Sequence, residues 1–455
     1  MLKVTIGRSH ECYKFFKYCI INSSKRREKI PPGPKGLPII RNLHMIDKNV
    51  HQELYQIAKK YGPIMIMRFG LVPIIVASSP HAAEQFLKKH DLIFQRNLTF
   101  AKYGPYWRNM RKLCTLELLS ILKINSFQSM RNKEVRNFVT FINQAATGGV
   151  EVDINAKVAT LNANVACLMI FGKKYIDDDF DKRRFKDVIQ EIMIITATPN
   201  IGEFFPFLDV FDLQGVVRRI KELAKVFDEF SERVIDEHIQ DSKKEKKTKD
   251  IVDNIMDIMN SGKAEFEFDR PHIKAILMDI LMASMDTSAP KSNEKFTKGV
   301  GTSLDYLEMV IKEVFSLHPV GPLLIPHESI EDCTIDGFDI PKGSRILVNS
   351  WATGRGPEVW SAPEFVPERF IGSNIDLLGR DFQLLPFGSG RRNCPGLQLE
   401  FTIVCLVPAQ LFHYLDWELP NGMKPNDLDM TEKFGLVTYR AEHARVIPTY
   451  RLNVY

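Results

Sequence analysis

Between Phe387 and Gly396 the chain runs Phe387-Gly388-Ser389-Gly390-Arg391-Arg392-Asn393-Cys394-Pro395-Gly396, and an apolar stretch that reads as helix follows to Leu411. No other segment constrains the fold as much. Glycines on both sides permit a tight turn and a close approach of the backbone to a flat ligand. A helix beginning just after Cys394, with Arg392 nearby, favours a thiolate through the positive end of its dipole. The remaining cysteines (Cys12, Cys19, Cys114, Cys167, Cys333 and Cys405) are scattered, and no CxxC pair occurs. This argues against a disulfide framework or a zinc ribbon and fits a reducing compartment.

The 455 residues admit one large domain or two to three of ordinary size. Hydrophobic residues make up 44% and charged residues 26%, which excludes disorder, collagen and coiled coil as the overall class. The net charge of +5 is too small to point to nucleic acid. A membrane span needs roughly 18 nearly uncharged apolar residues, and residues 1–30 hold none. The most apolar piece there, Phe15 to Ile21, is interrupted by Lys17, and it offers no run suited to a secretory signal. Lys25 to Lys29, followed by Pro31-Pro32-Gly33-Pro34, reads either as a solvated linker or as a stop-transfer flank with a stiff hinge.

Further along, Gln52 to Tyr61 reads as helix, and Ile64 to Phe69 with Val72 to Ala77 as a strand pair turned at Gly70. From Phe100 to about Ile239 the apolar spacing is mostly helical. Ser242 to Asp250 is a charged run expected to be an exposed loop. Asp269 is a candidate N-cap, with Pro271 in the first turn of a helix whose buried face is Ile273, Ile276, Leu277, Ile280 and Leu281. A second helix, Leu304 to Leu317, turns Leu307, Val310, Ile311 and Val314 inward. Ile335-Asp336-Gly337-Phe338 carries a hairpin signal, and Arg345 to Ser350 reads as a strand. The chain is expected to be mainly α with a minor β part.

A single thiolate cannot fill a zinc site, but it can be the one axial ligand of a haem iron. The loop resembles the haem-binding segment of the cytochrome P450 monooxygenases, F-x-x-G-x-R-x-C-x-G, matched by Phe387, Gly390, Arg392, Cys394 and Gly396. The resemblance runs from Pro31 to Leu452 and is closest to the plant microsomal type. The proline hinge, Tyr106-Trp107-Arg108, Ala283 to Ala289, Pro367-Glu368-Arg369-Phe370 and the cysteine loop occur in family order. It implies a helical bundle around haem with a small β region, formed by residues 31–455 as one domain behind an N-terminal segment, 1–30.

The same resemblance implies haem b (iron protoporphyrin IX) held by Cys394 as axial ligand. Trp107 and Arg111 lie four apart and share a helix face; with Arg392 and His327 they are expected toward the haem propionates. Asp286 and Thr287, within Ala283-Ser284-Met285-Asp286-Thr287-Ser288, are expected to relay protons from solvent to the dioxygen being reduced. The implied activity is insertion of one oxygen atom from O2 into an apolar small molecule of plant secondary metabolism, with electrons from NADPH-cytochrome P450 reductase. The implied location is the cytosolic face of the endoplasmic reticulum membrane, although no transmembrane anchor is read in residues 1–30.

Several features depart from the family pattern. Family segments are missing after Phe94 and after Ala289, and Pro290 disfavours helix at Ala289. The family's E-x-x-R pair reads Glu313-Val314-Phe315-Ser316, which leaves Glu313 to pair with Arg369 alone unless Lys312 or Arg345 substitutes. These departures support an alternative reading, a non-catalytic or haem-deficient remnant.

Overall fold

A computed structural model describes residues 29–91, 104–175, 179–180, 183–241, 248–262, 268–285, 304–356, 360, 364–433 and 435–451. Helix α1 (Val50–Tyr61) leads into strands β1 (Ile64–Phe69) and β2 (Val72–Ala77), paired antiparallel about Gly70. Next come α2 (Pro105–Lys112), α3 (Gln128–Gly148), β3 (Val152–Asp153), α4 (Ile154–Phe171), α5 (Phe185–Ala197), α6 (Val216–Asp241), α7 (Ile251–Ser261) and α8 (Arg270–Met285). Helix α9 (Leu304–Leu317) is followed by β4 (His327–Glu328), β5 (Cys333–Ile335), β6 (Phe338–Ile340), β7 (Arg345–Val348) and the short α10 (Ser350–Thr353). Helix α11 (Leu397–Tyr414), β8 (Leu415–Glu418) and β9 (Arg445–Tyr450) complete the frame.

Most of these elements follow from local sequence. Helix α9 has the bounds its periodicity predicts, and Leu307, Val310, Ile311 and Val314 are all buried. Asp269 accepts the His272 N–H and so caps α8, and Ile273, Ile276, Leu277 and Leu281 lie in the core. Asp336 and Gly337, with φ of 49° and 78°, turn β5 into β6 as the Asp-Gly pair predicts. Two expectations need correction. The strand expected to reach Ser350 stops at Val348, because Asn349 caps α10 by accepting the Ala352 N–H. Asp250, expected in an exposed loop, is 4% exposed: it caps α7 and meets His238 Nε2 at 3.1 Å.

The sheet order is β1-β2-β7-β4; β7 runs parallel to β2, while β4 is antiparallel to β7. A second sheet, β8-β9-β3, ties the C-terminus to the entry of α4. The main core lies among α3 to α8 and α11, with Phe171, Phe185 and Phe230 at its aromatic centre. Among the described residues one helix, α4, is long and apolar enough to cross a membrane, and more than half of it is buried in this core. A smaller core packs α9 beneath the cysteine loop through Phe315, Phe370, Leu384 and Phe387.

Candidate active site

The Phe387–Gly396 loop closes on itself: the Cys394 N–H donates to the Phe387 carbonyl at 2.9 Å. Gly390 has a φ of +71°, and a Cβ there would lie 2.1 Å from the Leu87 carbonyl oxygen, so only glycine lets the loop sit so close to that neighbour. Arg391 Nε pairs with Asp91 at 3.2 Å on the same side. Gly396 serves differently. Its φ is negative, a Cβ would meet Cys394 Sγ only at ordinary contact distance (3.8 Å), and its N–H bonds to the thiol, as does that of Leu397.

Helix α2 docks on this loop at two points. Arg111 Nη2 donates to the Asn393 carbonyl (2.6 Å) and to Asn393 Oδ1 (2.7 Å), while the Arg392 guanidinium stacks 4.7 Å from the centre of the buried Trp107 ring. The four-residue spacing of Trp107 and Arg111 thus presents both to the loop. Burial pushes the Cys394 thiol up to about 11, against the pull of the Gly396 N–H, the Arg111 guanidinium and the Leu397 N–H; Glu400 adds to the rise. This corrects the expected electrostatics. The cation acting on the thiol is Arg111, and desolvation outweighs both it and the helix N-terminus.

His327 stands half-buried on β4, opposite Ile346. Asp286 and Thr287, like Phe94 and Ala289, lie outside the described residues. Among the described residues the one set of His, Cys, Asp and Glu groups close enough to hold a metal ion is His238, Asp250 and Asp253; there Asp250 meets His238 Nε2, and each aspartate side chain accepts the other's backbone N–H at the start of α7. Cys394 therefore offers a single protein donor backed by two N–H groups. That donor set fits haem, whose macrocycle supplies the other iron ligands.

Glu313 is fully buried on α9. Its Oε1 accepts the Val366 N–H at 2.7 Å, and its Oε2 lies 3.2 Å from Arg369 Nε, so the expected acid–arginine pair forms. The suggested substitutes for the missing guanidinium are engaged elsewhere: Lys312 pairs with Glu308 (2.9 Å) and Arg345 with Glu203 (3.1 Å). Two residues on, the Phe315 ring meets the Phe387 ring at 5.5 Å, which links α9 to the cysteine loop. Sequence reasoning missed Asn393 and Asp91, both of which seat the loop. Asn393 falls at an unrestricted position of the motif, and Asp91 lies about 300 residues away in the chain.

A mainly helical frame with a half-buried cysteine at the head of an apolar helix is the arrangement a haem-thiolate protein needs. The family model of cytochrome P450 matches residues 31–293 and 291–445, and the chain belongs to that family. It is 45% identical to a cytochrome P450 of Panax ginseng, over 95% of this chain and 96% of the relative. It is 36% identical to a strychnine-11-hydroxylase of Strychnos nux-vomica, over 93% of each chain. It is also 35% identical to a 4-hydroxyphenylacetaldehyde oxime monooxygenase of Sorghum bicolor, over 93% of this chain and 89% of the relative. The class is that of haem-thiolate monooxygenases, which use O2, a redox partner and small-molecule substrates.

Proposed function

We propose that the chain uses haem b and electrons from NADPH-cytochrome P450 reductase to place one oxygen atom of O2 into an apolar small molecule. The seating of Cys394, between two N–H groups and a loop clamped by Trp107 and Arg111, carries this reading. Bound haem would supply the oxygen-activating chemistry. Cys394 would hold its iron, and Phe387, Gly390 and Gly396 would shape the loop around the ligating sulfur. Trp107, Arg111, Arg392 and His327 would face the propionates with cationic or N–H groups. Asp286 and Thr287 would pass protons inward from solvent.

A second reading, a haem-deficient remnant of a shortened domain, draws on the family match, which breaks at 291–293. The 482-position alignment with the ginseng relative also exceeds the 455 residues here. The break supports a family segment missing after Ala289, and the alignment length supports a shortened chain. The purified protein, reduced under carbon monoxide, is expected to give a thiolate-type Soret band and, with the reductase and O2, to consume NADPH when substrate is added. Absence of the band would favour the remnant.

An apolar patch supports contact with the cytosolic face of the endoplasmic reticulum membrane. Ile39, Val210 and Phe211 are 75%, 69% and 68% exposed, with Leu71, Phe207 and Leu213 around them. The Leu71 N–H to Phe204 carbonyl bond and the Gly70 N–H to Ile40 carbonyl bond join the three segments. Carbonate washing should release the protein from microsomes. The exposed double substitution V210D/F211D should lower its partition onto phosphatidylcholine vesicles about tenfold or more. Unchanged partition would assign membrane contact to another surface.

A further inference from the structure

Ser316, 2% exposed, ends its reach early: its hydroxyl bonds the Gly354 carbonyl at 3.1 Å. A Cβ on Gly354 would lie 2.7 Å from the Ser316 carbonyl oxygen, so the turn after α10 is pressed against the last turn of α9. From that turn Arg355 reaches back. Its Nη1 donates to the Ser316 carbonyl at 3.4 Å and its Nη2 to the Leu317 carbonyl, while its guanidinium lies 4.0 Å from the centre of the Trp351 ring. Those carbonyls are the negative, unpaired end of a helix, where a cation is favoured. The same charge acts on Glu313, one turn upstream.

We infer that Arg355 supplies, from the end of α10, the second guanidinium that a serine at 316 cannot. It thereby positions α9 and the Phe315–Phe387 contact beneath the Cys394 loop. This inference rests on the reading of that loop as the haem seat. Arg355 is a positioning residue: it holds the last carbonyls of α9, and its charge favours the ionised Glu313 carboxyl one turn away. The charged groups around Glu313 are Arg369 and Glu368 from the 367–370 segment, Arg355, and the Lys312–Glu308 pair on α9 itself. Burial raises the Glu313 carboxyl above its ordinary range, and the Val366 N–H, Arg369 and Arg355 oppose the rise. Ionised Glu313 is therefore the form that Arg355 stabilises.

The test is a double-mutant cycle on the full chain, Arg355→Gln with Glu313→Gln, read as the unfolding midpoint and as the fraction of haem showing the thiolate-type carbon monoxide band. Arg355→Gln should lower the midpoint by about 2 °C near neutral pH and the thiolate fraction severalfold. The midpoint loss should shrink by half or more in the Glu313→Gln background. It should also shrink below the ordinary carboxylate range, where Glu313 is protonated whether folded or not. Equal losses in both backgrounds would make Arg355 a helix cap alone and overturn the inference. Ser316→Arg should gain more stability in Arg355→Gln than in the parent, and an equal or smaller gain would also overturn it. Should Arg355→Gln not fold, recovery of a folded S316R/R355Q chain supports the inference and failure of both overturns it. The midpoint cycle needs no haem, so a missing thiolate band in the parent would sink the haem-seat reading while leaving this coupling measurable.

Discussion

Cys394→Ala is expected to abolish the thiolate-type carbon monoxide band while leaving the chain folded. Cys394 is the cysteine whose sulfur meets the Gly396 and Leu397 N–H groups and the Arg111 charge at the head of α11. The nearest rival is Cys114, which the same arginine feels, but that thiol is buried in the helical core and pushed up to about 12, mainly by desolvation and further by Asp279. Cys405 follows eleven residues later on α11, about 12 Å along its axis from the first helical residue, Leu397. Cys167 is fully buried between other helices, and Cys333 lies on β5. Replacing those four together should leave ligation intact in a folded protein. A thiolate band surviving in Cys394→Ala, or lost in the folded quadruple variant, would refute the assignment.

The second large effect is expected at Glu313. Replacing it with alanine leaves the Arg369 guanidinium, only 11% exposed, beside an empty space, and strips the Val366 N–H of its acceptor. Breaking a buried pair from one side costs about 3–5 kcal/mol, a large share of the 5–15 kcal/mol that typically holds a domain together. Denaturant midpoints should show this loss. Glu313→Gln should cost less, since an amide oxygen can still accept from Val366. Its pH profile carries a sign. Because the folded carboxyl titrates above its unfolded value, its contribution is fully present below the ordinary carboxylate pKa and is lost as pH rises through the folded one. The parent should therefore lose stability relative to Glu313→Gln as pH climbs out of the acid range. Parallel pH profiles would show that the carboxyl is not shifted.

Much of this protein could be read from residue order. The bounds and inward face of α9, the Asp336-Gly337 turn and the β1–β2 pair each depend on groups within a few residues of one another, so periodicity and turn chemistry suffice to specify them. The cysteine loop was legible for the same reason: its glycines, arginines and thiol are neighbours in the chain. Even the Glu313–Arg369 pair was accessible, though only through family resemblance. Tertiary structure alone decided which cation reaches the Cys394 thiol, that Asn393 receives Arg111 from 282 residues away, and that Arg355 braces the end of α9. It also turned Asp250 from a residue of a charged run into a buried cap. These outcomes depend on where packed helices stop and which carbonyls they leave unpaired, and on desolvation. The sequence of a single element does not contain those distances, so they exist only once the elements are stacked.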